Sequence, residues 1–233
     1  MTRTGLLLVS LVVAACGGTD DVVRGAPERG KALFESPSSS RNTANVHSCA
    51  TCHTTSSLDT RRLAGATLAG VVARPSFWGG AQRDLLGSTN DCLRYFMLDA
   101  TGMTADEARA KDLYAYLESL PQEVPGAVPF TVVGDILDLP GGDAARGAGS
   151  YAALCSSCHG KATTGEGRIV GAARLPDDTR AEHLIEGPEG LRKIVIEKVR
   201  HGAFLGYSGR MPPFSAEVLS DAELADIVAF LGF

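Results

Sequence analysis

The chain reads as a mostly helical protein made of one small helical unit used twice. Three observations lead there. The five-residue pattern Cys-x-x-Cys-His occurs at Cys49-Ala50-Thr51-Cys52-His53 and again at Cys155-Ser156-Ser157-Cys158-His159. The flanking segments repeat as well, each opening on a short helical stretch with Arg-Gly and closing on an amphipathic helix. Few segments show the strict polar–apolar alternation that a half-buried strand requires.

From the N-terminus, Arg3 precedes an apolar run from Leu6 to Ala15 broken only by Ser10. Such a run is a signal-peptide core, too short to span a bilayer. It ends in Val13-Ala14-Ala15-Cys16, which resembles the lipobox of bacterial lipoproteins. That resemblance implies removal of residues 1–15 and a lipid on Cys16; an ordinary secretory leader with a chance cysteine is the alternative. Gly17 stands where the inner-membrane retention signal places Asp, which points to the outer membrane. The expected location is therefore periplasmic, lipid-anchored to a membrane, with residues 16–26 as a tether.

The first unit opens Pro27-Glu28-Arg29-Gly30-Lys31-Ala32-Leu33-Phe34 and the second Ala144-Ala145-Arg146-Gly147-Ala148-Gly149-Ser150-Tyr151. Each places an aromatic four residues after the glycine, so both lie on one helix face. The closing helices are expected over Thr104–Leu120 and Ser220–Leu231, each begun by a capping-box sequence, Thr104…Glu107 and Ser220…Glu223. The first unit carries an insertion, mostly Ser36 to Asn45, whose polarity predicts a surface loop. Residues 121–143 hold Pro121, Pro125, Pro129, Pro140 and Gly141-Gly142 and read as a linker. Its apolar middle, Thr131 to Leu139, is expected to lie against a unit or across their interface. The units are thus drawn at 27–120 and 144–233.

The chemistry of the motif is specific. Two thiols can add to the two vinyl groups of one haem, and the adjacent histidine supplies an imidazole for the iron. Zinc ribbons space their cysteine pairs about 15–20 residues apart, whereas 102 residues separate Cys52 from Cys155. A thioredoxin-like dithiol needs a strand–helix–strand context that neither copy has. The motifs therefore predict two covalently bound haem c groups, on Cys49 and Cys52 with His53, and on Cys155 and Cys158 with His159. Apolar residues make up 44% of the chain, yet a unit of about 90 residues builds only a marginal core; a large apolar disc fixed inside it supplies what is missing.

This layout resembles class I cytochrome c, twice over. The resemblance implies crossed first and last helices, with Gly30 against Tyr116 and Gly147 against Phe230. It also implies a carbonyl acceptor for each proximal imidazole, expected near Pro75 and Pro176, and a pocket wall containing Phe77 and Trp78. Gly209-Arg210-Met211-Pro212-Pro213-Phe214 looks like the distal loop of that family, making Met211 the sixth ligand of the second haem. His201 is its only competitor and reads instead as a cap on the C-terminus of a helix over Leu191–Arg200. Of six cysteines, Cys92 alone has no assigned use. Its segment, Asn90 to Met97, resembles the helix carrying the axial cysteine of the di-haem thiosulfate dehydrogenases, which makes Cys92 a candidate sixth ligand of the first haem. Met97, Met103 and a purely structural Cys92 remain open alternatives. His47 lies too near the first motif to reach the distal side, and His183 is expected to be exposed.

The formal net charge is −5 with no basic patch, which excludes nucleic acid as a partner. Electron transfer to redox partner proteins is the expected function. The alternative is a thiosulfate dehydrogenase-like enzyme acting on a small sulfur anion at the first haem, for which Arg61, Arg62, Arg74, Arg83 and Arg94 are the available cations. A haem-based sensor ranks last, since no signalling module accompanies the motifs.

Overall fold

The structure is a computed structural model that describes residues 25–122, 128–131, 133–136, 138–203 and 209–233. The leader, Cys16 and most of the tether lie outside the described residues. Nine α-helices and three short 3-10 turns make up the regular structure among them, and the backbone pairs only once in β fashion, at an isolated bridge between Phe77 and Gln82.

In the first half, α1 (Pro27–Glu35) starts on a proline whose fixed φ suits the first helical position. One turn, α2 (Cys49–Cys52), carries the first motif. Helix α3 (Leu85–Phe96) is capped by Asp84, whose carboxylate accepts from the Gly87 N–H at 2.6 Å. Helix α4 (Ala108–Ser119) begins four residues later than the sequence predicts. Only half of its capping box forms: Glu107 accepts from the Thr104 N–H (3.1 Å), but the Thr104 hydroxyl donates to Asp106 (2.6 Å) rather than accepting from the helix. Residues 104–107 consequently form a turn, with Glu107 at the helix cap.

The second half contains α5 (Ala144–Leu154), α6 (Ser156–His159), α7 (Asp177–Glu182), α8 (Gly187–His201) and α9 (Asp221–Leu231). Here the Ser220–Glu223 capping box is complete, and Gly232 ends α9 in the left-handed conformation. Helix α8 is longer than expected, starting at Gly187 with Pro188 in its first turn.

Two crossings organise the molecule, α1 on α4 and α5 on α9. A Cβ added at Gly30 would strike the Asp112 carbonyl and come within 2.6 Å of Tyr116 Cβ; one at Gly147 would strike the Asp226 carbonyl and come within 2.8 Å of Phe230 Cβ. Each crossing has the same second lock. Arg29 donates twice to Asp112 (2.7 and 2.8 Å), which also accepts from the Ala26 N–H; Arg146 does the same to Asp226 (2.8 and 2.9 Å), which accepts from Asp143. Both crossings end in a tilted aromatic pair, Phe34–Tyr116 at 5.4 Å and Tyr151–Phe230 at 5.6 Å. Around them lie two separate apolar clusters, one including Phe34, Val71, Leu93 and Leu117, the other Tyr151, Ile196, Leu219 and Val228.

The insertion at 36–45 is not a simple surface loop. Ser39, Ser40 and Asn45 are buried, the Ser40 hydroxyl donates to the Met97 carbonyl (2.6 Å), and Arg109 donates to the Ser39 carbonyl (2.6 Å). Its short polar side chains satisfy backbone groups that would otherwise be buried unpaired. Ile136 and Leu139 pack on the second cluster, and Thr131 is held by Glu217 through its N–H (2.9 Å) and hydroxyl (2.6 Å). His201 is the last residue of α8, within the helix's final turn, and its Nε2 donates to the linker carbonyl of Val133 (2.7 Å). Among the described residues no helix is long and apolar enough to cross a membrane.

Candidate functional site

The two motifs end in the same arrangement. His53 follows α2 directly, and its Nδ1 donates to the Ala66 carbonyl at 2.7 Å; His159 closes α6, and its Nδ1 donates to the Ala173 carbonyl at 2.8 Å. The first acceptor lies well upstream of the expected Pro75 and the second just upstream of Pro176, because each chain doubles back onto its motif before reaching the proline. A carbonyl can only accept, so Nδ1 carries the proton and Nε2 keeps its lone pair. Burial also lowers the pKa of both imidazoles, holding them neutral as a metal ligand must be.

A cavity opens beside the first motif. Its wall includes Cys49, Cys52, His53, Cys92 and Met97, closed by the aromatic faces of Phe77 and Trp78. Burial pushes the Cys49 thiol up to about 11 and Cys52 to about 12, and drives Cys92 upward as well. These are neutral thiols in an apolar wall. Among the described residues no three His, Cys, Asp or Glu side chains converge as a metal site of their own. The three candidate sixth ligands separate here: Cys92 on α3 and Met97 at its end face the cavity, whereas Met103 is buried elsewhere in the cluster, with its N–H donating to Asn90 Oδ1 at 2.7 Å.

The cavity fits a flat apolar group that carries carboxylates. Most of its wall is hydrocarbon, yet two buried polar atoms there, Arg74 Nε and His47 Nδ1, have no partner among the described residues. The Arg74 side chain is buried, with Nη2 donating to the carbonyls of Thr67 (2.6 Å) and Ala69 (2.8 Å). A cation so placed asks for an anion. Of the remaining arginines named from sequence, Arg61 pairs with Asp59, Arg62 with Glu223 and Arg94 with Asp91, while Arg83 is exposed and does not line the cavity. His183, expected to be exposed, is partly buried beside Glu182.

In the second half, Cys155, Leu175 and Met211 all pack against the α5–α9 cluster. Burial raises Cys155 to about 12 and raises Cys158 too. The loop bearing Met211 is tied across the end of α8 by Ala203 N–H to the Met211 carbonyl (2.8 Å) and Phe214 N–H to the Val199 carbonyl (2.9 Å). Gly202 makes this possible: at φ 52° it adopts a conformation few side-chain-bearing residues accept, and a Cβ there would meet Pro212 within 2.8 Å.

Two features of the first cavity were not legible from the motifs. Val128 and Phe130 of the linker line it, with Phe130 edge-on to Trp78 at 5.3 Å. So do Pro212 and Pro213, which follow Met211 in the other half. The halves meet elsewhere as well. Arg62 donates to Glu223 (2.7 and 3.1 Å) and to the Val218 carbonyl, Ala64 is buried in the second cluster, and Cys158 lies close enough to Cys52 for its charge to add to the upward push on that thiol.

Residues 142–231 match the family described as cytochrome c oxidase, cbb3-type, subunit III. That stretch is a cytochrome c domain, which implies covalently bound haem c and electron transfer. No curated protein matches the chain. Among solved structures, the as-isolated form of thiosulfate dehydrogenase (TsdBA) from Marichromatium purpuratum is similar at 18% identity and a TM-score of 0.42, over 88% of this chain and 45% of that one. The chain thus spans less than half the length of that protein.

Proposed function

We propose that this chain is a di-haem electron carrier, with one haem c on Cys49 and Cys52 ligated by His53 and a second on Cys155 and Cys158 ligated by His159. The two units run over 27–120 and 144–233. One observation carries the reading: at both motifs a neutral imidazole, its Nδ1–H held by a backbone carbonyl, sits next to a pair of thiols that burial keeps protonated. Haem c supplies a one-electron Fe(III)/Fe(II) couple. The residues of the chain orient it and set its surroundings. Ala66 and Ala173 fix the ring tautomer and strengthen each imidazole as a donor. Phe77, Trp78 and Phe130 exclude water, and Arg74 balances buried carboxylate charge.

Met211 is the second haem's sixth ligand in this reading, and a thioether there raises the potential. Cys92 is the first haem's. Burial makes a bare thiolate at Cys92 costly, and a ferric ion facing it is what reverses that cost. The unlike ligands give two well-separated potentials. Lipidation at Cys16 tethers the carrier to a membrane on the periplasmic side, within reach of soluble redox proteins.

The enzyme reading, with a small sulfur anion oxidised at the first haem, needs cations free to hold the anion. Arg61, Arg62 and Arg94 are each committed to a carboxylate, Arg74 is matched to a haem carboxylate in this reading, and Arg83 is exposed and does not line the cavity, which favours the carrier. A steady-state assay with thiosulfate or tetrathionate, run beside stopped-flow electron exchange with a small c-type cytochrome, separates the two. The carrier exchanges electrons rapidly and does not turn over either sulfur anion; turnover of either one reverses the assignment.

A further inference from the structure

Residues 62–66 run from one half of the molecule to the imidazole of the other in five consecutive positions. Arg62 grips α9 of the second half, donating to both carboxylate oxygens of Glu223 and to the Val218 carbonyl. Ala64 is buried in the second half's apolar cluster, 7% exposed, although it belongs to the first half by sequence. Gly65 lies flat on the His53 ring: a Cβ there would collide with the ring and come within 2.7 Å of the Cys52 carbonyl, to which its N–H donates at 2.8 Å. Ala66 supplies the carbonyl that holds His53 Nδ1. Beyond it, Arg74 pins the chain by donating to Thr67 and Ala69. With one end fixed inside the first half and the other gripped by the second, the segment has little freedom to relax. In the second motif's return segment Arg174 takes its partner, Asp178, from the same half, and the described link to the first half is a lighter one, Arg210 beside Gly171 donating to the Ala44 carbonyl at 3.3 Å.

We infer that Arg62 is a positioning residue, and that residues 62–66 form a strut through which the docking of the second half sets the orientation of His53 and the strength of its Nδ1–H···O=C bond. The consequence is that the second half tunes the first haem's potential through the protein chain. This rests on the two-haem reading above.

The sign of the effect makes it testable. A strong bond from Nδ1–H to a carbonyl makes the imidazole a better donor and stabilises the ferric state, lowering the potential. Loosening the strut weakens that bond, so the first haem's potential rises. Simple loss of the Arg62 charge does the reverse, since a nearby positive charge disfavours ferric iron. Arg62→Gln and Arg62→Lys are made in the full chain with haems attached. The haem content is counted first, and each haem's midpoint is then found by a spectroelectrochemical titration. Arg62→Lys keeps the charge but loses the planar two-pronged grip.

The strut requires the first haem's midpoint to move up in Arg62→Lys, where the charge is kept, and to fall less in Arg62→Gln than charge loss alone would make it or to rise, with the second haem's unmoved. It also requires the paramagnetically shifted His53 ring protons to move, while those of His159 stay in place. A first-haem midpoint that falls or stays put in Arg62→Lys overturns the strut and leaves the two-haem reading standing. A parent protein with only one haem overturns both.

Discussion

Replacing Gly147 by alanine isolates the energetics of the α5–α9 crossing. Two effects oppose each other. Alanine in a helix interior gains about 1 kcal/mol over glycine. The added methyl group, however, runs into the Asp226 carbonyl and sits 2.8 Å from Phe230 Cβ, well inside ordinary van der Waals contact. A backbone carbonyl in mid-helix cannot swing aside without breaking its own hydrogen bond, so the overpacking cost belongs at the upper end of the usual range, about 3 kcal/mol. The net expectation is a loss of about 2 kcal/mol, a large share of what holds a small domain together. The same helix contains its own control. A Cβ on exposed Gly149 meets nothing within 4 Å, so Gly149→Ala collects the helix gain alone, about 1 kcal/mol. The two variants, one helical half-turn apart, then differ by about 3 kcal/mol. Guanidinium unfolding of the haem-loaded protein, followed by far-ultraviolet circular dichroism, measures this. If Gly147→Ala is as stable as the parent, close helix approach is not what the glycine is for.

Other consequences follow from the same contacts. Arg29 and Arg146 hold the carboxylates of Asp112 and Asp226 below their usual range. A depressed folded-state pKa contributes stability above the unfolded value, about 4, and loses it as the pH falls through the folded one. Asp112→Asn should therefore be less stable than the parent near neutral pH and lose less on acidification, as denaturant titrations at a series of pH values would record; parallel curves refute the assignment. Cys92→Ser should alter the optical and electron-paramagnetic-resonance signature of the first haem alone, and an unchanged low-spin signal removes Cys92 as a ligand. A chain lacking all four motif cysteines should lose its near-ultraviolet circular dichroism and cooperative melting, whereas a sharp transition without haem would show that the apolar clusters suffice.

The repeated parts were the legible ones. Gly30 and Gly147 stood out by their spacing to an aromatic, and the crossing that the cytochrome c resemblance implied at them is present. The aspartates that lock each crossing carried a signal too, since Asp112 and Asp226 each stand four residues before the aromatic, but one acidic residue on a helix resembles any solvated charge. Boundaries shifted where a local competitor intervened, as at Thr104, whose hydroxyl chose Asp106 over the helix. The polar 36–45 segment misled because its serines and asparagine serve buried backbone groups rather than water. Least legible was everything between the halves. Nothing in the local pattern of Arg62, Ala64, Phe130 or Pro213 says that each reaches a pocket or cluster built by distant residues.

The central claim is that both cysteine pairs carry a haem. Intact mass of protein made in a host that attaches haem covalently tests it most directly, comparing the parent with Cys49→Ala/Cys52→Ala and Cys155→Ala/Cys158→Ala. The account requires two haem masses on the parent and one on each double variant. A parent carrying one haem, or none, contradicts it.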